Sequence, residues 1–300
     1  MAALKELSTA LAETVESAGK GVVRVEGRRR MGASGFVWGT DGLIVTANHV
    51  LERDEDIKVG LAGGNKVEAE FVGRDPTTDL AVLRVEGADL TPSDTTEPDA
   101  ISVGNLVLAL GRPGKTVQAT LGIVSALGKT WRTRAGGQID RYLQTDVVMY
   151  PGFSGGPLVD ASGNIVGLNT SALTRGVTVS IPVPTVASVT ETLVTHGRVR
   201  RGHLGIGAQV VRLPDGIEKD AGQESGLIIV SVESKSPAET GGIMLGDTVV
   251  AFNDTSIRHM DDLLAELTGD TVGQIVKLRV IRGGELKELT VTIGDRSPEA

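Results

Sequence analysis

Short apolar runs separated by turn residues dominate the chain from about residue 21 to 183. Runs of Val, Ile, Leu and Phe recur there at lengths typical of strands. Asp41-Gly42 and Gly63-Gly64-Asn65 stand between such runs and predict two hairpin turns. Roughly a dozen strands fit into this stretch, which indicates a closed or sandwiched all-β architecture.

Two segments show helical periodicity instead. Leu4, Leu7, Leu11, Val15 and Ala18 follow one another at spacings of three and four, which predicts a helix over 4–18 with one apolar stripe. This stripe either packs on its own domain or contacts another subunit. A second helix is predicted over 184–196, because its apolar positions end at a glycine, the usual helix stop.

The remainder reads as a separate module. The segment GRVRRG at 197–202 is polar and basic, and strands alternating with two short helices follow it. Ser236 and Glu239 form the capping box that opens the first of these helices. The predicted segments are an N-terminal amphipathic helix (1–19), a β-rich domain (20–196), a linker (197–201) and an α+β domain (202–296).

Composition narrows the possible functions. The 300 residues suffice for about two domains. Cysteine is absent, which excludes disulfides and a cysteine nucleophile. The net charge is −8, and residues 201–300 alone carry 10 basic against 16 acidic side chains. Nucleic acid is therefore not an expected partner. None of the four histidines stands with other residues in a metal-ligand pattern, so we expect no metal and no cofactor.

Membrane and targeting patterns are weak. No apolar run reaches the ~18 residues that a membrane helix needs, so no membrane span is expected. The first twenty residues lack the apolar run of a signal peptide. The expected compartment is the cytoplasm if the chain is complete, and an extracytoplasmic one if a leader has been removed.

Three segments together carry the chemistry of a nucleophilic hydrolase. His49 ends one β-rich run, Asp79 precedes another, and Ser154 stands in the glycine-dense turn PGFSGGPL. A serine hydroxyl needs a base, and an imidazole oriented by a carboxylate is suited to that task. Asp75 is the rival carboxylate, although its place before a proline suggests an Asx turn. Gly152 can turn its N–H, with that of Ser154, toward an oxyanion.

These motifs resemble the HtrA/Deg family of chymotrypsin-like serine proteases. The segments TANHV, DPTTDLAVL and PGFSGGPL carry the likeness, which covers about residues 20–295. The resemblance implies a mainly β fold of two six-stranded antiparallel β-barrels followed by a small α+β PDZ domain. It also implies a catalytic triad of His49 as general base, Asp79 as its orienting carboxylate and Ser154 as nucleophile, with the Gly152 and Ser154 amides as oxyanion hole.

Two departures from the family stand beside the nucleophile. Phe153 replaces the usual Asn, and Tyr150 replaces the first residue of the usual Asn-Pro-Gly. The backbone donors survive both changes, but the two aromatic residues could reshape the subsites or hold the loop in a resting state.

The resemblance also predicts where substrate binds. Val179, Ser180 and Ile181 lie on the strand that lines the family's specificity pocket, which suggests cleavage after small aliphatic residues. In the second domain, RGHLGIG matches the carboxylate-binding loop of PDZ domains. Its Leu204, Gly205 and Ile206 would receive a peptide C-terminus, with the following strand pairing to the peptide. Met260 and Leu264 would line the opposite wall.

The expected function is therefore an ATP-independent serine endopeptidase that hydrolyses misfolded or unfolded proteins in protein quality control. The PDZ domain would dock peptide C-termini. A catalytically silent chaperone or scaffold is the alternative. Members of the family are commonly trimers joined by N-terminal aromatic residues. This chain has no aromatic residue before Phe36, so a homotrimer would use an aliphatic contact such as Leu4, Leu7 and Leu11.

Overall fold

Two compact units divide the chain, with the boundary between Val199 and Arg200. The computed structural model describes residues 2–29, 31–87, 90–92, 94–96 and 100–295. Met1 and Arg296, the outer ends of two predicted segments, lie outside the described residues.

The first unit begins with a closed six-stranded antiparallel barrel. Its strands run in the spatial order β1-β2-β3-β6-β5-β4, and β4 pairs with β1 to close it. The strands are β1 (Val22–Glu26), β2 (Ala33–Val37), β3 (Leu43–Ala47), β4 (Ile57–Gly60), β5 (Lys66–Asp75) and β6 (Leu80–Arg84). Both predicted hairpins are confirmed: one joins β2 to β3 and the other joins β4 to β5.

A second closed antiparallel barrel completes this unit, in the order β11-β14-β13-β12-β7-β8. Its strands are β7 (Leu106–Gly111), β8 (Gln118–Leu127), β11 (Leu143–Thr145), β12 (Pro157–Asp160), β13 (Ile165–Asn169) and β14 (Thr178–Pro182). A small hairpin of β9 (Trp131–Arg132) and β10 (Gln138–Ile139) projects between β8 and β11. The fold expected from the resemblance, two six-stranded barrels, is confirmed.

Two helices flank the barrels: α1 (Ala2–Ala18) and α2 (Val183–His196). The apolar stripe of α1 divides into two halves. Leu11, Val15 and Ala18 pack against the barrel core, whereas Leu4 and Leu7 are 74% and 45% exposed. The apolar side chains in the first half of α1 therefore have no packing partner among the described residues.

The second unit holds a sheet in the order β16-β17-β18-β20-β21, with β19 paired to β18. The sheet strands are β16 (Ile206–Arg212), β17 (Ser225–Val232), β18 (Thr248–Phe252), β19 (Thr255–Ser256), β20 (Ile275–Arg282) and β21 (Glu285–Thr292). The remaining elements are the two-stranded pair β15 (Gly202–His203) with β22 (Gly294–Asp295), and the helices α3 (Asp215–Ala221), α4 (Pro237–Thr240) and α5 (Met260–Glu266).

Two details of this unit differ from the sequence analysis. Helix α3 was not predicted. The Ser236 hydroxyl accepts from the Glu239 amide as expected, but the Glu239 carboxylate accepts from Lys235 N–H instead of Ser236 N–H. Across the part of the chain that the structure describes, no helix is both long and apolar enough to cross a membrane.

The aromatic residue before Ser154 belongs to the core of the second barrel. Phe153 is fully buried in an apolar cluster with residues such as Leu158, and Tyr150 meets it edge-on at a centroid distance of 5.7 Å. A Cβ on Gly111 would lie 2.8 Å from Phe153 Cδ1, so the absence of a side chain at 111 makes room for the ring. Phe153 thus anchors the turn by burial.

We expect Phe153→Asn to destabilise the first unit, although Asn is the residue usual in the family. The change leaves a cavity and buries an amide among apolar side chains, at a cost of about 3–5 kcal/mol in the free energy of unfolding. Phe153→Leu, the matched control, should lose only about 1 kcal/mol. Urea denaturation of the three proteins measures this. Equal losses for the two variants would contradict the packing argument.

Candidate active site

His49 and Asp79 form a paired acid–base unit at the edge of the first barrel. The Nδ1 of His49 lies 2.8 Å from Asp79 Oδ2 and 3.0 Å from Oδ1. The His49 backbone N–H also donates to Oδ1, over 2.9 Å. A carboxylate only accepts hydrogen bonds, so the contact assigns the ring proton to Nδ1 and leaves Nε2 as a free acceptor. The imidazole is about one-third exposed and can reach a substrate.

Local backbone geometry places the pair. A short 3₁₀ turn (Asn48–Val50) directly follows β3 and carries His49. Asp79 stands before β6 with a φ of 62°, in the left-handed region that aspartate enters more readily than most residues. The Asn48 N–H donates to the Asp79 carbonyl over 3.0 Å and ties the two segments together.

The rival carboxylate belongs to a turn. Asp75 accepts from the amide and hydroxyl of Thr77 and from the hydroxyl of Thr78. This is the Asx-type turn that its place before Pro76 suggests.

A three-residue segment at the end of β13, residues 169–171, connects Ser154 to this pair. Gly155 and Gly156 directly follow the serine. The Gly155 N–H donates to the Asn169 carbonyl, and the Asn169 N–H donates to the Gly156 carbonyl. Thr170 donates its hydroxyl to Asp79 Oδ2, and the Ser171 hydroxyl lies 3.2 Å from Ser154 Oγ. Residues 169–171 therefore contact both the carboxylate and the serine. Among the described residues no hydrogen bond joins Ser154 Oγ to His49, so the serine must rotate away from Ser171 to reach the imidazole.

The turn before Ser154 has the geometry of a type II β-turn. Phe153 N–H donates to the Tyr150 carbonyl over 3.0 Å, with Pro151 and Gly152 in the central positions. Gly152 has a φ of +89°, which a type II turn requires and a type I turn forbids. Within the described part of the chain, neither the Gly152 nor the Ser154 amide donates to a protein acceptor. Both are available to an anionic oxygen.

The predicted specificity residues lie close behind this segment, on β14. Val179, Ser180 and Ile181 are buried, and Ser180 Oγ lies 3.4 Å from the side-chain oxygen of Asn169. Their part in a substrate pocket stays a prediction.

The second unit presents an open strand edge beside a loop with free amides. Among the strands of the described residues β16 pairs with β17 alone, so its other edge is open in this sheet. The Leu204 carbonyl accepts from the Ala238 N–H, and the Gly205 carbonyl accepts from the Glu233 N–H. The N–H groups of Leu204 and Gly205 donate to no acceptor in the described residues. Helix α5 packs beside β16, with Met260 and Leu264 partly buried. Ile206 begins the open strand.

Sequence reasoning missed Thr170 and Ser171. Thr170 holds the carboxylate and Ser171 holds the nucleophile, yet hydroxyl residues after a strand carry no distinguishing pattern. In the described ranges no group of three His, Cys, Asp or Glu side chains is placed to bind a metal ion.

Comparison with known domain families identifies both units. Residues 33–168 match the model of the trypsin-like peptidase domain, and residues 202–293 match that of the PDZ domain.

Curated whole proteins are also similar to this chain. A probable periplasmic serine endoprotease, DegP-like, from Ectopseudomonas mendocina (strain ymp) is 36% identical over 267 residues, which cover 87% of this chain and 56% of the relative. Its counterpart from Halomonas elongata is 35% identical over 278 residues, covering 90% and 57%. The chain thus spans a little over half the length of these curated relatives.

Solved structures agree along almost their whole length. The HtrA-type protease AlgW with decapeptide has a TM-score of 0.77 and 27% identity, covering 96% of this chain and 99% of that one. The serine endoprotease from Yersinia pestis has a TM-score of 0.77 and 28% identity, covering 96% and 98%. From its peptidase domain, its PDZ domain and these relatives, the chain belongs to the HtrA/Deg family of serine proteases.

Proposed function

We propose that this protein is an ATP-independent serine endopeptidase that cleaves misfolded or unfolded polypeptides in protein quality control. The observation that carries the proposal is the joint geometry at the active site. The His49 imidazole is bonded through Nδ1 to Asp79, residues 169–171 contact both Asp79 and Ser154, and neither the Ser154 nor the Gly152 amide donates to an acceptor among the described residues.

In this mechanism Ser154 Oγ leaves Ser171, donates its proton to His49 Nε2 and attacks the scissile carbonyl. The imidazolium that forms donates from Nδ1 to Asp79 and later protonates the leaving amine. Asp79 is prepared for this, because three donors already fix its orientation: the His49 ring, the His49 amide and the Thr170 hydroxyl.

The tetrahedral intermediate places negative charge on the former carbonyl oxygen. The Gly152 and Ser154 amides would bind it, and a preorganised donor of this kind is worth roughly 3 kcal/mol of transition-state stabilisation. Since a type II turn fixes the direction of the Gly152 amide before substrate arrives, the donor needs no reorganisation during the reaction.

The PDZ unit would capture substrates by their C-termini. A terminal carboxylate would bind the amides of Leu204, Gly205 and Ile206, and the peptide would extend the sheet along the open edge of β16. Met260 and Leu264 would contact its last side chain. Because the curated relatives are named as periplasmic, we place the protein outside the cytoplasm.

We also propose that the protein is a homotrimer joined by the first half of α1. Leu4 and Leu7 support this, since two large apolar side chains are exposed on a helix whose other half is packed. Leu11, which the sequence placed in the same contact, packs on its own core and is left out.

Ser154→Ala should abolish cleavage of unfolded casein, because the variant lacks the attacking oxygen. Fragmentation is followed by gel electrophoresis, with circular dichroism and peptide binding as controls for folding. Cleavage by Ser154→Ala at the wild-type rate would contradict the assignment, and so would an inactive wild type.

Peptide binding to the PDZ unit should depend on a free carboxylate. A fluorescent peptide ending in Val should bind roughly 10–100 times more tightly than the same peptide with a C-terminal amide, because charged hydrogen bonds are lost. Fluorescence anisotropy with Ser154→Ala measures both affinities without cleavage.

The control for this experiment uses two glycines with positive φ. A Cβ on Gly205 would lie 2.2 Å from Ser236 Cβ, whereas a Cβ on Gly222 would meet nothing within 4 Å. Gly205→Ala should therefore weaken binding and Gly222→Ala should not. Equal affinity for acid and amide would contradict the carboxylate loop.

The double variant Leu4→Glu/Leu7→Glu should convert the trimer to a monomer, because the two carboxylates that each chain brings to the contact cannot be buried unpaired among apolar side chains. Ala2→Glu/Thr9→Glu adds the same charge on the opposite face of the exposed helix and should stay trimeric. Sedimentation equilibrium gives each mass. A monomeric wild type, or a trimeric leucine variant, would refute the proposed contact.

A further inference from the structure

We propose that Ser34 is a positioning residue for the reaction: its side chain in the first barrel holds the oxyanion turn of the second barrel in the binding orientation. The inference rests on the proposed endopeptidase function and adds a residue to it. Ser34 lies on β2, far in sequence from the turn that carries Gly152 and Ser154, and is fully buried.

Ser34 contacts the carbonyl groups of the two residues whose amides form the oxyanion hole. Its hydroxyl lies 2.6 Å from the Gly152 carbonyl oxygen, and its backbone N–H donates to the Ser154 carbonyl over 3.2 Å. Ser34 therefore forms hydrogen bonds to the turn on both sides of Phe153.

The direction of the hydroxyl proton is settled by its two partners. The Gly152 carbonyl can only accept, and the Arg112 N–H, 2.7 Å from Ser34 Oγ, can only donate. The hydroxyl must therefore donate to Gly152. Both bonds are short and buried, so the hydroxyl has a single orientation.

The Arg112 backbone N–H, which donates to this hydroxyl, is held in place by the Arg112 side chain. Its guanidinium is buried and donates to the backbone carbonyls of Val22, Lys115 and Gly19, at 2.6, 3.0 and 2.8 Å. Burial lowers the pKa of Arg112 from its usual value, but an arginine keeps its charge in a folded protein. The main chain at 112 is thereby held against the first barrel.

The effect on chemistry follows from the rigidity of a peptide plane. The Gly152 carbonyl belongs to the plane that also carries the Phe153 N–H, which donates to Tyr150. With both ends of this plane bonded, the ψ angle of Gly152 is fixed and the residue is held against the first barrel. The Gly152 N–H lies in the preceding Pro151–Gly152 plane, whose direction is set by the φ of +89° at Gly152. Without the Ser34 hydroxyl, Gly152 can move and carry its N–H away from the position of the oxyanion.

The test is Ser34→Ala, assayed with a fluorogenic peptide taken from a casein cleavage site. We expect kcat to fall roughly 10–100-fold with KM changed less than about twofold, because the oxyanion forms only in the transition state. A peptide boronate, whose tetrahedral adduct places an oxygen in the hole, should lose affinity by the same factor as kcat/KM. Ser34→Cys, with a weaker donor, should fall between wild type and Ser34→Ala.

Thr185→Val is the matched control for loss of a buried hydroxyl. Thr185 is also buried, and its Oγ1 donates to Asp140 Oδ2 and accepts from the Asp140 N–H, each over 2.9 Å. This variant should be destabilised like Ser34→Ala in urea but keep its kcat and its boronate affinity.

The outcomes separate this inference from the proposed function. An active wild type with an unchanged kcat in Ser34→Ala, or equal losses of kcat in Ser34→Ala and Thr185→Val, would overturn the positioning role and leave the endopeptidase intact. A wild type that neither cleaves peptide nor binds the boronate would overturn the endopeptidase itself.

Discussion

The active site depends on a backbone-to-backbone contact between the nucleophile turn and the two barrels. A Cβ on Gly155 would lie 2.1 Å from the Ser34 carbonyl oxygen, and one on Gly156 would lie 2.1 Å from that of Leu110. Neither distance is compatible with a side chain, so only glycine lets the turn approach both barrels. The two glycines after Ser154 therefore fix the position of the turn that carries it.

Most of the fold could be predicted from the sequence, because the local preferences of turn and strand residues agree with the tertiary structure. The turns at Gly42 and Gly64 have positive φ, where glycine is favoured, and the apolar runs around them become barrel strands. Helix α3 is the exception, since its seven residues, DGIEKDA, include a glycine and one large apolar side chain. Its stability comes from tertiary packing of Ile217 and Ala221 on a small cluster with Val250 and Ile281, which no local pattern shows.

The candidate site likewise has residues that the sequence predicts and residues that it does not. His49, Asp79 and Ser154 stand in motifs whose order and setting point to one chemistry. Thr170, Ser171 and Ser34 carry equally specific hydrogen bonds, but a hydroxyl residue in a β-rich chain has no sequence context that reveals its partner. Phe153 is the opposite case, because the sequence singled it out but suggested a different role. As a departure from the family's usual Asn it raised the possibility of an altered subsite. In the structure its ring is buried in the space left by Gly111 and anchors the turn.

The closure of the second barrel has a consequence for the order of events during synthesis. β14 is the last strand of that barrel and joins β11 to β13, and the segment that orients both Ser154 and Asp79 lies just before it. A growing chain therefore carries its histidine, aspartate and serine long before it can align them. Under the proposed endopeptidase function, a chain that is still being synthesised therefore cannot cleave a peptide bond before β14 has joined the second barrel.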